Sequence, residues 1–344
     1  MKIKDKSSNI SKRTFLQLVI AMLLVIFPIV MIIFNGNRAF KGIIWRKSNE
    51  TKASTLKDQS NENLKSNKSA QSPYFGIYDP ANVFKDNRTL TYEQVYFNWS
   101  DPNGKALQSK LDQIILNKRV PVITIEPWNG SNNEIDLLTD ISKGKYDQNI
   151  DIIIKILSGC SGKFYISWGH EMDQNLAKRY PWSGKDPNQY ILAYRYVQNR
   201  IRKGVKNEIL WIWSPVAKNG CERYWPGSDY VDFVGLPIYS YPAWDKSWYG
   251  HLRSFKSWYN EKYSLVRQFH KPIIIVELGV TGSTDYQTFW LQEAFEYLKT
   301  SAPVEIVLFF YTKDTEGSWG KDISTPDWRT DPQTISGLVK WIKN

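Results

Sequence analysis

From residue 73 onward the chain repeats one pattern, a short apolar or aromatic run followed by a longer polar stretch. Eight runs recur, at 74–78 (YFGIY), 94–99 (QVYFNW), 121–126 (PVITIE), 163–168 (KFYISW), 209–213 (ILWIW), 230–236 (YVDFVGL), 272–277 (PIIIVE) and 304–311 (VEIVLFFY). Amphipathic segments of helical length lie between several of them, among them 105–117, 187–203, 250–269 and 286–299, and 333–343 closes the chain. Continuous runs such as Ile273–Ile275 suit strands covered on both faces, as in parallel sheets. Eight strands alternating with helices over about 270 residues predict an α/β chain folded as a (β/α)8 (TIM) barrel. A doubly wound open sheet is the rival, and the lack of G-x-G-x-x-G after the first run weighs against its dinucleotide-binding form.

What precedes the barrel reads differently. Residues 15–34, FLQLVIAMLLVIFPIVMIIF, hold Gln17 as their one clearly polar side chain. A helix of that length spans roughly 30 Å, the thickness of a bilayer core. A cleaved signal peptide would have a shorter apolar run and small residues after it; NGNRAFKG follows here, so an uncleaved anchor is expected. The domain expectation is a basic tail at 1–14, a membrane-spanning helix at 15–34, a polar flexible linker at 35–72 and the barrel at 73–344. Lys2, Lys4, Lys6, Lys12 and Arg13 precede the span and fewer cations follow it, which favours a cytoplasmic N-terminus and a barrel outside the cell, held at the membrane.

The net charge of +11 suggests nucleic acid until it is divided. Residues 1–72 carry +9 and the remainder only +2, so the domain lacks the basic stripe that nucleic-acid binding needs. Cys160 falls before the fourth run and Cys221 after the fifth. That puts them at opposite ends of a barrel, about 20 Å apart, beyond disulfide reach. Free thiols are expected.

In such a barrel the chemistry sits at the C-terminal ends of the strands. Glu126 in IEPW ends the third run, Glu171 in WGHEMD follows the fourth, and Glu277 in VELG ends the seventh. A carboxylate straight after an apolar run is costly unless it faces a functional mouth. Taken singly, each is more often a salt-bridge or capping residue than a catalyst. Glu171 and Glu277 together would bring two carboxyls into one mouth, as glycoside hydrolysis requires. HEMDQ fails the zinc pattern H-E-x-x-H at Gln174, and the other histidines, His251 and His270, are remote, so neither metal nor cofactor is expected. Trp128, Trp168, Trp182, Trp213, Trp225, Tyr239 and Trp319 gather near the same strand ends, where aromatic faces suit the C–H faces of sugar rings.

GHEMD at 169–173, YPW at 180–182, WIWSP at 211–215, YWPGSDYVDFVGL at 224–236 and KPIIIVELG at 271–279 occur together and in this order. On these the chain resembles glycoside hydrolase family 26, retaining (β/α)8 glycosidases that include β-mannanases and mixed-linkage β-glucanases. The resemblance implies a general acid/base at Glu171 and a nucleophile at Glu277. It implies substrate-side roles for His170, for Tyr239 as a phenol donor to Glu277, for Trp182 and Trp319 as stacking platforms, and for Glu126 and Trp128 on the glycone side. The partner implied is a β-linked polysaccharide, with some relatives tied to exopolysaccharide systems, and a monomer is expected. Asp173-Gln174 departs from the Asn-Gly of many mannanases, and YPAWDKSWYG at 241–250 does not read as a substrate signature. The alternative is a catalytically silent carbohydrate-binding barrel or scaffold in exopolysaccharide synthesis or export.

Overall fold

The computed structural model describes residues 72–128, 136–174, 179–319 and 323–343. The tail at 1–14, the apolar span at 15–34 and the linker up to residue 71 lie outside the described residues. Among the described residues, no helix is long and apolar enough to cross a membrane. Eight strands pair in chain order and close into a barrel: β1 (Tyr74–Tyr78), β2 (Tyr92–Asn98), β3 (Val120–Glu126), β4 (Phe164–Trp168), β5 (Ile209–Trp213), β6 (Phe233–Ser240), β7 (Ile273–Val280) and β8 (Val304–Phe310). All pairs are parallel, and β1 meets β8 from Tyr74↔Ile306 to Tyr78↔Phe310, which leaves no sheet edge.

The strands are covered on both faces, as their continuous apolar runs require. Val122, Tyr165, Ile212, Phe233, Ile274, Val276, Ile306 and Leu308 fill the barrel interior. A larger outer core lies between strands and helices and takes the alternate positions, such as Ile123, Ile166, Trp211, Val234, Ile275 and Val307. Above the interior plug comes a polar layer: Gln94 Nε2 donates to Thr124 Oγ1 at 3.0 Å, and Ser167 Oγ to Ser214 Oγ at 3.0 Å.

The helices are α1 (Lys105–Leu116), α2 (Leu137–Ser142), α3 (Asp147–Gly159), α4 (Pro187–Gly204), α5 (Pro242–Tyr249), α6 (Phe255–Val266), α7 (Thr284–Thr300) and α8 (Pro332–Lys343). The stretch expected as one helix over 250–269 becomes helical only at Phe255, where the Ser254 side chain accepts from Ser257 N–H and caps it. The sixth strand starts three residues later than its apolar run suggests, because Ser228–Tyr230 forms a 3-10 turn. Its extension through Pro237 coincides with a register shift against β7, where a missing N–H is tolerated.

No helix separates β1 from β2. The connection is held instead by Arg119, whose guanidinium pairs with buried Glu93 at 2.8 Å and donates to the carbonyls of Phe84 and Asn87. β1 and β2 pair only at Gly76↔Tyr92 and Ile77↔Glu93. Beyond that point they part, and a cavity of about 240 Å³ opens between them, lined in part by Asp79, Gln94, Tyr96 and Asn98. Cys160 and Cys221 are both free thiols.

Candidate active site

Strand alternation alone would put Glu277 in the wrong place. On β7, Ile273 and Ile275 face the helices, while Ile274 and Val276 face the interior. A strict period of two would send Glu277 outward with Ile273 and Ile275. The pairing with β6 instead jumps from Leu236↔Ile275 to Pro237↔Glu277, and that with β8 from Ile275↔Val307 to Leu278↔Phe309. The extra residue, Val276, is a β-bulge that turns Glu277 inward and Leu278 out into the helix-facing core. β7 also runs on to Val280, so Glu277 lies within the strand and not at its end, as the sequence suggests.

Both oxygens of Glu277 are held. Tyr96 Oη donates to Oε1 at 2.6 Å and Tyr239 Oη to Oε2 at 2.5 Å. Burial, and then the charge of Glu277 itself, lifts both phenols well above their usual range, so they stay protonated donors. Burial first and the Glu171 charge second push the Glu277 carboxyl up to about 7, while the two phenols and Arg179 pull it down.

Glu171 is held by its backbone. After β4 ends at Trp168, Gly169 and Glu171 both adopt left-handed backbone, with φ of 56° and 55°. For a glutamate that conformation costs about 1 kcal/mol and persists only where surroundings enforce it. Here Gly169 N–H donates to Ile125 O at 3.0 Å, Glu171 N–H to Ser214 O at 2.8 Å, and Ser183 Oγ to Glu171 O at 2.8 Å. The carboxylate accepts from Gln174 Nε2 at 2.7 Å and lies 3.9 Å from Arg179 Nη1.

His170 is buried between Tyr96 and Tyr180, with ring centroids 5.9 and 5.0 Å away. Burial lowers its pKa to about 4, so it is neutral, and its Nδ1 has no partner among the described residues. Half-buried Glu126, at the end of β3, is pushed up to about 7, by burial above all. Trp319 is half-buried; its indole donates to Asp314 Oδ2 at 2.8 Å and its ring meets Tyr239 edge-on at 5.7 Å.

Trp182 departs from its expected role. It is fully buried, donates to His170 O at 2.8 Å and lies flat behind Tyr180, 4.6 Å between centroids. It offers no open face to a sugar; it props Tyr180 and the His170 backbone. Tyr96, Arg179 and Tyr180 join the site without having been singled out in the sequence. Tyr96 could have been found by carrying the barrel's alternation along β2, where Gln94, Tyr96 and Asn98 share one face with the polar pair Gln94–Thr124.

The pattern of glycosyl hydrolase family 26 matches residues 124–301. Endoglucanase H of Acetivibrio thermocellus is 24% identical over 268 residues, covering 74% of this chain and 28% of that protein. Beta-1,3-xylanase TXYA of a Vibrio species is 29% identical over 146 residues, covering 40% of this chain and 28% of the relative. The chain thus spans little more than a quarter of the length of these curated relatives. Among solved structures, a β-mannanase from Bacteroides ovatus superposes with a TM-score of 0.55 at 15% identity, over 79% of this chain and 88% of that one, which is a likeness of fold. Since the matching region takes in more than half of the 344 residues, the chain belongs to glycosyl hydrolase family 26.

Proposed function

We propose that this protein is a retaining endo-β-glycanase, with Glu277 as nucleophile and Glu171 as general acid/base. The observation that carries the reading is the grip on Glu277: two phenols donate to its two oxygens beside a second carboxyl. Two donors aimed at one carboxylate favour its ionised, attacking form. The pair acts as a unit. The Glu171 charge is the second cause, after burial, that raises the Glu277 carboxyl, while the phenols and Arg179 favour its ionised form.

The chemistry follows from that division. Glu171 gives its proton to the glycosidic oxygen as Glu277 attacks the anomeric carbon. A covalent glycosyl-enzyme forms and the leaving sugar departs. Glu171 then takes a proton from water, which attacks the anomeric carbon and frees Glu277. Relatives named as an endoglucanase, a β-1,3-xylanase and a mannanase support a β-linked polysaccharide as substrate, with β-mannan and mixed-linkage β-glucan the first choices. Residues 15–34 would tether the barrel to the outer face of the cell membrane.

The test is reducing-end release by the purified chain on β-mannan, mixed-linkage β-glucan, β-1,3-xylan and the host's exopolysaccharide, with Glu277→Ala alongside. Release on at least one polymer, cut by a factor of about 10⁴ or more in the variant, is expected. Binding without release on any of them would replace this reading with that of a silent carbohydrate-binding barrel.

A further inference from the structure

Aromatic side chains do not stop at the mouth. Tyr239, which holds Glu277, meets Trp319 edge-on at 5.7 Å. Trp319 meets Trp244 edge-on at 5.4 Å, and Trp244 packs against Trp248 at 5.0 Å. Trp244 and Trp248 are four residues apart on α5 and so share one face of it. The row runs outward from the candidate nucleophile: Tyr239, Trp319 and Trp244 are half-buried, and Trp248 is 62% exposed.

Packing does not explain the outer end. The inward side of α5 is already fixed by Asp245, which is buried and accepts from Arg253 N–H at 3.2 Å. Tyr241, just before the helix, donates to Ser324. The helix is therefore a rigid mount, and Trp248 stands on its open side with half-exposed Tyr249 and Leu252 close by in the chain. Exposed apolar surface grouped this way marks a binding site more often than chance. Its chemistry is that of a flat ring with no charge to satisfy. Lys246 is the one basic residue of α5, and Arg253, whose guanidinium lies over the Tyr249 ring, is buried and paired with Glu261, so these residues do not present the cationic cluster that draws a protein onto anionic lipid.

We infer that Trp248, backed by Trp244, is an outlying platform for the β-linked polysaccharide, stacking on a sugar several residues along the chain from the scissile bond. The inference rests on the glycanase reading of the mouth, with which the row is continuous. Sugar units in an extended β-linked chain present apolar C–H faces, and a fixed indole receives one with little loss of side-chain freedom. The platform selects long polymers over short oligosaccharides, because only a long chain reaches from the carboxylates to α5.

Binding tests this apart from catalysis. The full chain, in mild detergent, is run through native gels containing galactomannan, mixed-linkage β-glucan or β-1,3-xylan, with Trp248→Ala and Trp248→Phe beside it. The expected result is that at least one polymer retards the wild type, that the alanine variant loses about tenfold in affinity, and that phenylalanine restores most of it. Equal retardation of all three proteins overturns the platform, as does no retardation of the wild type by any polymer. Loss of binding to phosphatidylglycerol vesicles in the alanine variant, with polymer retardation intact, also overturns it in favour of a lipid contact. If the wild type is retarded yet releases no reducing ends, the glycanase reading fails while the platform stands.

Discussion

On the proposed mechanism Glu277 is the residue on which the chemistry turns, and its two phenol donors make its behaviour predictable. Each donor stabilises the charged carboxylate, so removing one raises its pKa. Tyr239→Phe should therefore move the acidic limb of the kcat/KM profile to higher pH and lower kcat about ten- to a hundredfold. An acidic limb that stays in place would separate Tyr239 from the nucleophile. The same carboxyl weakens the fold. Its folded-state pKa of about 7 lies above the ordinary value of 4.5. Below pH 4.5 it is protonated in folded and unfolded chains alike; as pH rises to 7 the unfolded chain ionises more readily, and stability is lost across that window. Glu277→Gln should accordingly raise stability by about 1–3 kcal/mol at pH 8 and by little at pH 4. Denaturant titrations at the two pH values measure it, and equal effects would contradict the raised pKa. The burial that sets this titration and the second donor, Tyr96, were not legible in the sequence. The motif named Glu171, Glu277 and Tyr239, but Trp182 was misplaced because a tryptophan propping a site and one facing it look alike in a string of letters.

At the scale of elements, the decisive feature is the bulge in β7. Alternation is a good guide to facing along most of the strands, and it would have turned Glu277 to the helices. A bulge depends on pairing with two neighbouring strands at once, which no local pattern records. Past the bulge, Gly279 shares the inner face, and a Cβ there would lie 2.6 Å from the Tyr239 ring and 3.0 Å from Trp328. Gly279→Ala should push Tyr239 off Glu277, with a loss of about 1–3 kcal/mol in stability and a larger proportional loss of activity. Unfolding midpoint and kcat measured on one preparation distinguish the two, and wild-type kcat would show that Tyr239 has room to spare. The eight apolar runs, by contrast, announced the strands well, because burial on both faces leaves a continuous signature. Helices α3 and α5 were less plain; the second, flanked by tyrosine, proline and glycine, reads as a loop until its packing is seen.

Across the whole molecule, charge and architecture divide cleanly. The first 72 residues carry nearly all the excess positive charge, so salt should act on that segment more than on the barrel. The barrel's count and order were open to the sequence; the uneven strength of its joints was not, since each joint depends on residues far apart in the chain. A closed ring of staves fails first where one joint is short. β1 and β2 form one of two such joints, β5 and β6 the other, and the first is the one with no helix across it: β1 and β2 touch at Gly76↔Tyr92 and Ile77↔Glu93, and a hollow lies in the gap. Gly76 brings the two so close that any Cβ would sit 2.5 Å from Tyr92. Tyr96, on the far side of that joint, is one of the two hands on Glu277. On slow heating, activity should therefore fade several degrees before far-ultraviolet circular dichroism reports melting; coincident curves would argue otherwise. On the proposed mechanism the seam would then act as a fuse: warmth would loosen one hand on Glu277 while the hoop still stands.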